Sequence, residues 1–235
     1  MSIHDIELTD LERAASGPGG HFYGVYPALV VDNQDPENLG RVRVRLPWSP
    51  DSGDNGYEAW ARIATLMAGQ NRGSWFIPDV DDEVLVAFEA GDTRRPYIVG
   101  MLWNGQDEPP ERMDNNNNLK TILSRAGIRI TMDDSDGAVS LTLSTPGGHS
   151  LVFDDGDLSI TATDSSGNTI KMDSSGVTIT ASANIQMQAS QVQVDAGMVT
   201  VNSGFSRFSG VVQCDTLISN SVVSASYTPG AGNLW

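Results

Sequence analysis

This chain of 235 residues is short of cysteine, of long apolar runs and of positive charge, and each shortage excludes a class of protein. A single cysteine, Cys214, rules out an intrachain disulfide, so rigidity has to come from packing or from association with other chains. Cys214 itself reads as a small, half-buried residue. No apolar run approaches the ~20 residues that cross a bilayer as a helix. The first stretch, MSIHDIELTDLERAAS, places acids where a signal peptide has a basic start and an apolar middle. The expectation is a chain made in the cytoplasm without a signal peptide. With 14 Lys and Arg against 30 Asp and Glu, the formal charge is −16. That is the wrong sign for a phosphate backbone, so nucleic acid is not an expected partner. The same charge keeps copies apart unless a specific interface joins them.

What is present is divided unevenly. Residues 1–120 hold 8 Ser and Thr, whereas residues 121–235 hold 31. Trp48, Trp60, Trp75 and Trp103 lie in the first part, and no Glu occurs after Glu111. A domain boundary therefore falls near Lys120. Just before it, NGQDEPPERMDNNNNLK (104–120) combines prolines and asparagines that favour turns over regular structure, and it reads as a linker. Residues 1–20 start with a short amphipathic pattern (Ile3, Ile6, Leu8, Leu11) and end in SGPGG, the composition of an arm.

From Phe22 to Trp103 the pattern is β: YGVYPALVV, RVRVRLPW, AWARIATLM, SWFIPDV, EVLVAFEA and PYIVGMLW, separated by turn-rich pieces. Five or six such strands suit a small closed barrel. In GRVRVRLPW, Val42, Val44 and Leu46 alternate with Arg41, Arg43 and Arg45, giving one apolar face and one basic face. In an acidic protein the basic stripe is expected to meet acidic neighbours.

The second part alternates almost throughout: IRITM, VSLTL, LVF, LSITA, IKM, VTITA, IQMQA, VQVDA and VTV, between residues 128 and 201. These are short strands on a repeating step, tightening from Val177 onward, with DDSDG, DDGD, DSSGN and DSSG as turns. The period predicts a β-helix or solenoid. Each strand offers two or three apolar side chains on one face, too few for one copy to build a core. Three copies about an axis can do so. Ile128, Ile130, Val139, Leu141, Val177, Ile179, Ile185, Met187, Val192 and Val194 are the expected inward residues of a homotrimer; a monomeric solenoid is the alternative.

Three stretches then carry a resemblance: YGVYPALVVDNQDPENLGRVRVRLPW (23–48), ARIATLMAG (61–69) and GSWFIPDVDDEVLVAFEAGDTRRPYIVGMLWNG (73–105). The chain resembles the baseplate spike of contractile phage tails and related injection systems, similar to phage baseplate assembly protein V and the spike part of VgrG. LKTILSRAGIRITMDD and SVVSASYTPGAGNLW resemble the needle and terminal segment of the injection-system members. Asp81 and Thr93 stand where the resemblance leads one to expect glycine and proline.

The resemblance implies an all-β chain: a small OB-type barrel followed by a C-terminal intertwined trimeric β-helix needle. The organisation is then an arm over 1–20, barrel over 21–103, linker over 104–120, needle over 121–207 and a tip or cap segment over 208–235. It further implies a membrane-puncturing spike of a phage tail or contractile injection particle, acting mechanically on its target membrane. A separate hub protein would sit at the barrel end, because the fused N-terminal hub region of VgrG is lacking. A PAAR-type tip or cargo protein would sit at the needle end, with Tyr227 and Trp235 as candidate contacts. A trimeric receptor-binding fibre or adhesin is the rival reading.

Neither a catalytic nor a metal constellation emerges. The linker is too short for an inserted lysozyme domain, and Glu108 and Glu111 within it read as solvated charge. Asp133, Asp134 and Asp136, and likewise Asp154, Asp155 and Asp157, read as turn formers, since the twelfth position from Asp133 is Ser144 rather than the glutamate of a calcium loop. His4, His21 and His149 are far apart, His149 being an exposed turn residue. Some needles of the family hold an iron with a terminal histidine pair, but this chain ends in Asn233, Leu234 and Trp235. No cofactor is expected.

Overall fold

A computed structural model describes residues 21–49 and 56–225. The arm over 1–20, His4, Tyr227 and Trp235 lie outside the described residues. The first seven strands are β1 (Val25–Asp32), β2 (Val42–Leu46), β3 (Tyr57–Ile63), β4 (Ala68–Gly69), β5 (Arg72–Gly73), β6 (Glu83–Phe88) and β7 (Pro96–Met101). Five of them close a barrel in the order β1-β2-β3-β7-β6, and β4 and β5 form a separate small hairpin. All barrel pairings are antiparallel except β3 with β7.

Alternation fills the barrel as the sequence leads one to expect. Val42, Val44 and Leu46 are fully buried, opposite Ala28, Val30, Val84 and Val86 from neighbouring strands. Phe22, Tyr26, Trp48 and Phe88 pack as one aromatic group against this core, with Trp48 4.9 Å from Tyr26 and 5.0 Å from Phe22 between ring centres. The Trp48 indole N–H donates to the Pro27 carbonyl at 2.8 Å, so the half-buried ring keeps its hydrogen bond.

The segment SWFIPDV forms no strand. Pro78 has no N–H for a ladder, and the Asp79 N–H donates instead to the Asp82 carboxylate at 2.8 Å, tightening a turn. Asp81 adopts a left-handed φ of 76° where glycine was expected, a conformation that Asp tolerates better than most residues. Thr93 lies in the turn closed by the Arg95 N–H on the Asp92 carbonyl, at a position proline would also suit.

The basic stripe of β2 is met within the chain. Arg41 pairs with Asp35 at 2.8 Å and Glu37 at 3.2 Å, Arg43 with Asp32 at 3.4 Å, and Arg45 with Glu58 at 3.0 Å. Arg41 and Arg43 also lie over the Trp60 ring. The acidic neighbours anticipated for this stripe are therefore intrachain. The Asp35 side chain is 5% exposed. Its hydrogen bonds from the Arg41 side chain, reinforced by the backbone N–H groups of Glu37, Arg41 and Leu39, hold its carboxyl well below the usual range.

Seven further strands form one antiparallel meander: β8 (Leu119–Leu123), β9 (Arg129–Asp133), β10 (Ser140–Ser144), β11 (Ser150–Asp154), β12 (Ser159–Thr163), β13 (Thr169–Asp173) and β14 (Gly176–Thr180), each paired with the next. At one end the turns close on Gly127, Gly148 and Gly167, all with φ near +85°, a backbone that L side chains resist. At the other end β9, β11 and β13 finish in aspartate. Asp133 accepts from the Ser135 N–H and hydroxyl, Asp154 from the Asp157 N–H, and Asp173 from the Ser175 N–H and hydroxyl. The aspartate runs of the sequence thus build turns. From Ile185 the chain forms a second unit. Its described residues, 185–225, are all exposed and contain no strand. IQMQA, VQVDA and VTV therefore do not form ladders within the chain, since each lacks an adjacent strand of the same copy. Cys214, expected to be half-buried, is exposed.

Two substitutions test this account. Leu46→Ala is expected to lower barrel stability by about 2–5 kcal/mol, read from urea unfolding. Asp35 has a depressed folded-state pKa, so its contribution is present above the unfolded value of about 4 and is lost as pH falls through the folded value. Asp35→Asn is accordingly expected to melt earlier than the natural chain at neutral pH, with the gap between them narrowing below about pH 4.

Candidate functional site

The register of the meander sorts its side chains into rows. One row runs Lys120, Met132, Leu141, Phe153, Ile160, Met172 and Val177; a parallel row on the same face runs Ile122, Ile130, Leu143, Leu151, Ala162, Ile170 and Ile179. Between them, on the opposite face, lie Thr121, Thr131, Thr142, Val152, Thr161, Lys171 and Thr178. One face is apolar except at Lys120, and the other carries mostly threonines, with Val152 and Lys171 among them, the direct product of a period of two.

No residue of this sheet is buried; every buried apolar side chain among the described residues belongs to the barrel or its edge. Exposure on the apolar face is lowest mid-sheet and highest at its edges, from 37% at Leu143 to 50% at Ile122 on β8 and 66% at Val177 on β14. A lone sheet with an open apolar face needs a second layer. Full burial of one Val, Leu or Ile contributes roughly 1.5–3 kcal/mol, and two rows of such residues are sufficient to offset an association cost of about 4–15 kcal/mol.

The structure brings Ile130, Leu141, Val177 and Ile179 together on this face. Ile128 and Val139 immediately precede β9 and β10, in phase with Ile130 and Leu141. Ile185, Met187, Val192 and Val194 belong to the second unit, where each is more than half exposed. Around these four residues the backbone is in no strand and no described strand lies beside it.

The stretch before the sheet is irregular but fastened. Asn104 accepts from the N–H groups of Gln106 and Asp107, and Asp114 from those of Asn116 and Asn117. Glu111 is not free solvated charge: it accepts a 2.7 Å hydrogen bond from Thr121 on β8 and pairs with Arg129 on β9. These contacts hold its carboxyl below the ordinary range, the Thr121 hydrogen bond first and then Arg129. A general acid needs the opposite shift. A second tie joins Arg125, in the β8–β9 turn, to Asp79 of the barrel at 2.7 Å. Neither tie has a sequence signal, because the partners lie 18 and 46 residues apart. His149 is exposed in its turn, and among the described residues no group of three metal-ligating side chains converges.

Barrel and sheet together define a class: an all-β protein made of an OB-type barrel followed by a domain of antiparallel strands with an uncovered apolar face. Comparison with known families agrees in both parts. Residues 26–103 match the type VI secretion system/phage-baseplate injector OB domain, and residues 140–204 match the phage baseplate V C-terminal trimerisation domain. In these two stretches the chain is similar to the baseplate spikes of contractile phage tails and related injection systems. Among its relatives, type VI secretion system spike protein VgrG1a of Pseudomonas aeruginosa is 32% identical over 131 residues, covering 50% of this chain and 20% of the relative. Spike protein VgrG3 of Vibrio cholerae is 37% identical over 101 residues, covering 41% and 10%. The actin cross-linking toxin VgrG1 of Vibrio cholerae is 33% identical over 116 residues, covering 47% and 10%. The matches thus span a fifth or less of these relatives' own lengths.

The Glu111 tie predicts a local effect. Glu111→Gln is expected to speed proteolytic cleavage within 104–118 several-fold while barrel melting stays unchanged. Because the carboxyl is depressed, the natural clamp holds at neutral pH and loosens as pH falls through its folded value. The protease sensitivity of the natural chain should therefore approach that of the variant in acid.

Proposed function

We propose that this protein is the non-enzymatic central spike of a contractile injection system or phage tail baseplate, acting as a homotrimer. The observation that carries the reading is a seven-stranded sheet with no buried residue, overlapping the match to a trimerisation domain. In this reading the apolar rows of three copies face one axis, with Ile128, Ile130, Val139, Leu141, Val177 and Ile179 inward. Ile185, Met187, Val192 and Val194 continue the column, as the backbone of 185–201, in no strand within one copy, pairs between copies. Threonines face water.

The mechanism is mechanical. A tube drives the trimer through the target membrane, and the barrel adapts a wider hub to a narrow needle. A separate hub protein binds the barrel end, and a PAAR-type tip or cargo protein binds the needle end through the segment holding Tyr227 and Trp235. The chain is assembled into a phage tail or an injection particle. The proposed domain limits are 21–103 for the barrel, 104–120 for the linker, 121–207 for the needle and 208–235 for its tip.

Size exclusion with light scattering is expected to give three times the 25.1-kDa chain mass; a monodisperse single-chain mass overturns the reading. Val177→Asp or Ile179→Asp places three charges near the axis and should abolish the trimer, whereas Thr178→Asp, on the other face, should leave it intact. Equal tolerance of both would reverse the assigned register. Purified protein should release no labelled fragments from peptidoglycan. Release that disappears in a Glu108→Gln, Glu111→Gln double variant would show catalysis.

A further inference from the structure

A second exposed apolar surface lies on the barrel, around the β4–β5 hairpin. Leu66, Met67, Trp75 and Phe76 are 99%, 55%, 75% and 65% exposed. They are held out rather than left loose. The Ser74 N–H donates to the Met67 carbonyl at 3.0 Å, and the Thr65 hydroxyl donates to the Ser74 carbonyl at 2.9 Å. Gly73 has φ +154°, and a Cβ there would stand 2.6 Å from the Met67 carbonyl oxygen, so the two arms meet as closely as backbone allows. The Trp75 ring lies over Gly40, 3.2 Å from where a Cβ would be. An aromatic fixed in this way cannot fold back to hide itself.

The cleft beside these residues is about 700 Å³, is flanked by Arg62 and Arg72, and has no carboxylate in its lining. On the other side of Trp75 lies Asp35, which Arg41 pairs, so the cleft itself presents two cations and no carboxylate, and in a chain with 30 acids and 14 bases it is complementary to acidic surface of the same molecule. Four residues past Trp75, Asp79 is tied to Arg125 of the sheet. Joining three sheets therefore brings three barrels to fixed places at high effective concentration.

We infer that this patch is a barrel-to-barrel contact, seating the acidic surface of the next copy's barrel in a closed head-to-tail ring of three. This rests on the homotrimer proposed above. In such a heterologous ring each barrel uses two different surfaces, so an apolar, cationic patch need not meet its own image. The ring covers the exposed aromatics and offsets repulsion between three acidic chains.

The test uses full-length protein carrying a photo-crosslinking benzophenone residue at Leu66, whose side chain is free of packing, prepared as a mixture of isotopically light and heavy chains. A second protein carries the probe at Leu158, in the β11–β12 turn. After irradiation, light–heavy crosslinks are expected from position 66 to residues 21–103 of another copy, several-fold above those from position 158. Adding Arg72→Glu should reduce them several-fold while the mass remains trimeric. A trimer by mass with no excess of crosslinks from position 66, or with crosslinks only to the other copy's residues 119–180, overturns the barrel contact and leaves the trimer standing. A single-chain mass overturns both.

Discussion

A single β-sheet has two faces and no interior, and this constraint governs everything after the barrel. In the barrel, five strands curl until their apolar faces meet, and Val42, Val44, Leu46, Val84 and Val86 lose all contact with water. The meander of seven strands uses the same alternation without closing. Among the described residues nothing covers its apolar rows, so they need a further layer to lie against.

Charge is managed locally, which lets a strongly acidic chain accept close neighbours. The arginines of β2 are each paired with carboxylates of the same barrel, and Asp35 is locked in place by Arg41. In the sheet, the aspartates at the ends of β9, β11 and β13 are spent on turn N–H and hydroxyl groups. The carboxyl of Asp173 falls to about 2 under its Ser175 hydrogen bonds, with Lys171 assisting. These acids sit at strand ends, away from the apolar rows, so charge does not compete with burial along an axis.

The stretch between barrel and sheet, and the sheet's first turn, are fastened at separate points. Glu111 fastens the intervening stretch to β8 and β9, and Arg125 reaches Asp79 on the barrel. Pairs this exposed are individually weak. Two of them at separate points resist swinging more than a flexible tether would. This behaviour is consistent with a family whose named relatives are spike proteins.

Much of this was readable in the sequence because it is local. Alternation in RVRVRL, EVLVAF, IRITM and VTIT states which side chains share a face, and glycine and aspartate mark the turns. The shift in composition near Lys120 is local in the same way, whereas the chain's division into two units falls between Asn184 and Ile185. Other features depended on groups distant in the chain. SWFIPDV reads as a strand until Pro78 and the Asp79–Asp82 turn are in place, and Glu111 reads as free charge until Arg129 arrives from 18 residues away. The residues from Ile185 to Val201 show the division most plainly: their alternation is a property of the sequence, but a strand exists only where a neighbour supplies hydrogen bonds, and among the described residues none does. Sequence alone determined which side chains seek burial; only tertiary structure decided what covers them, because an apolar face encodes the need for a partner and not its location.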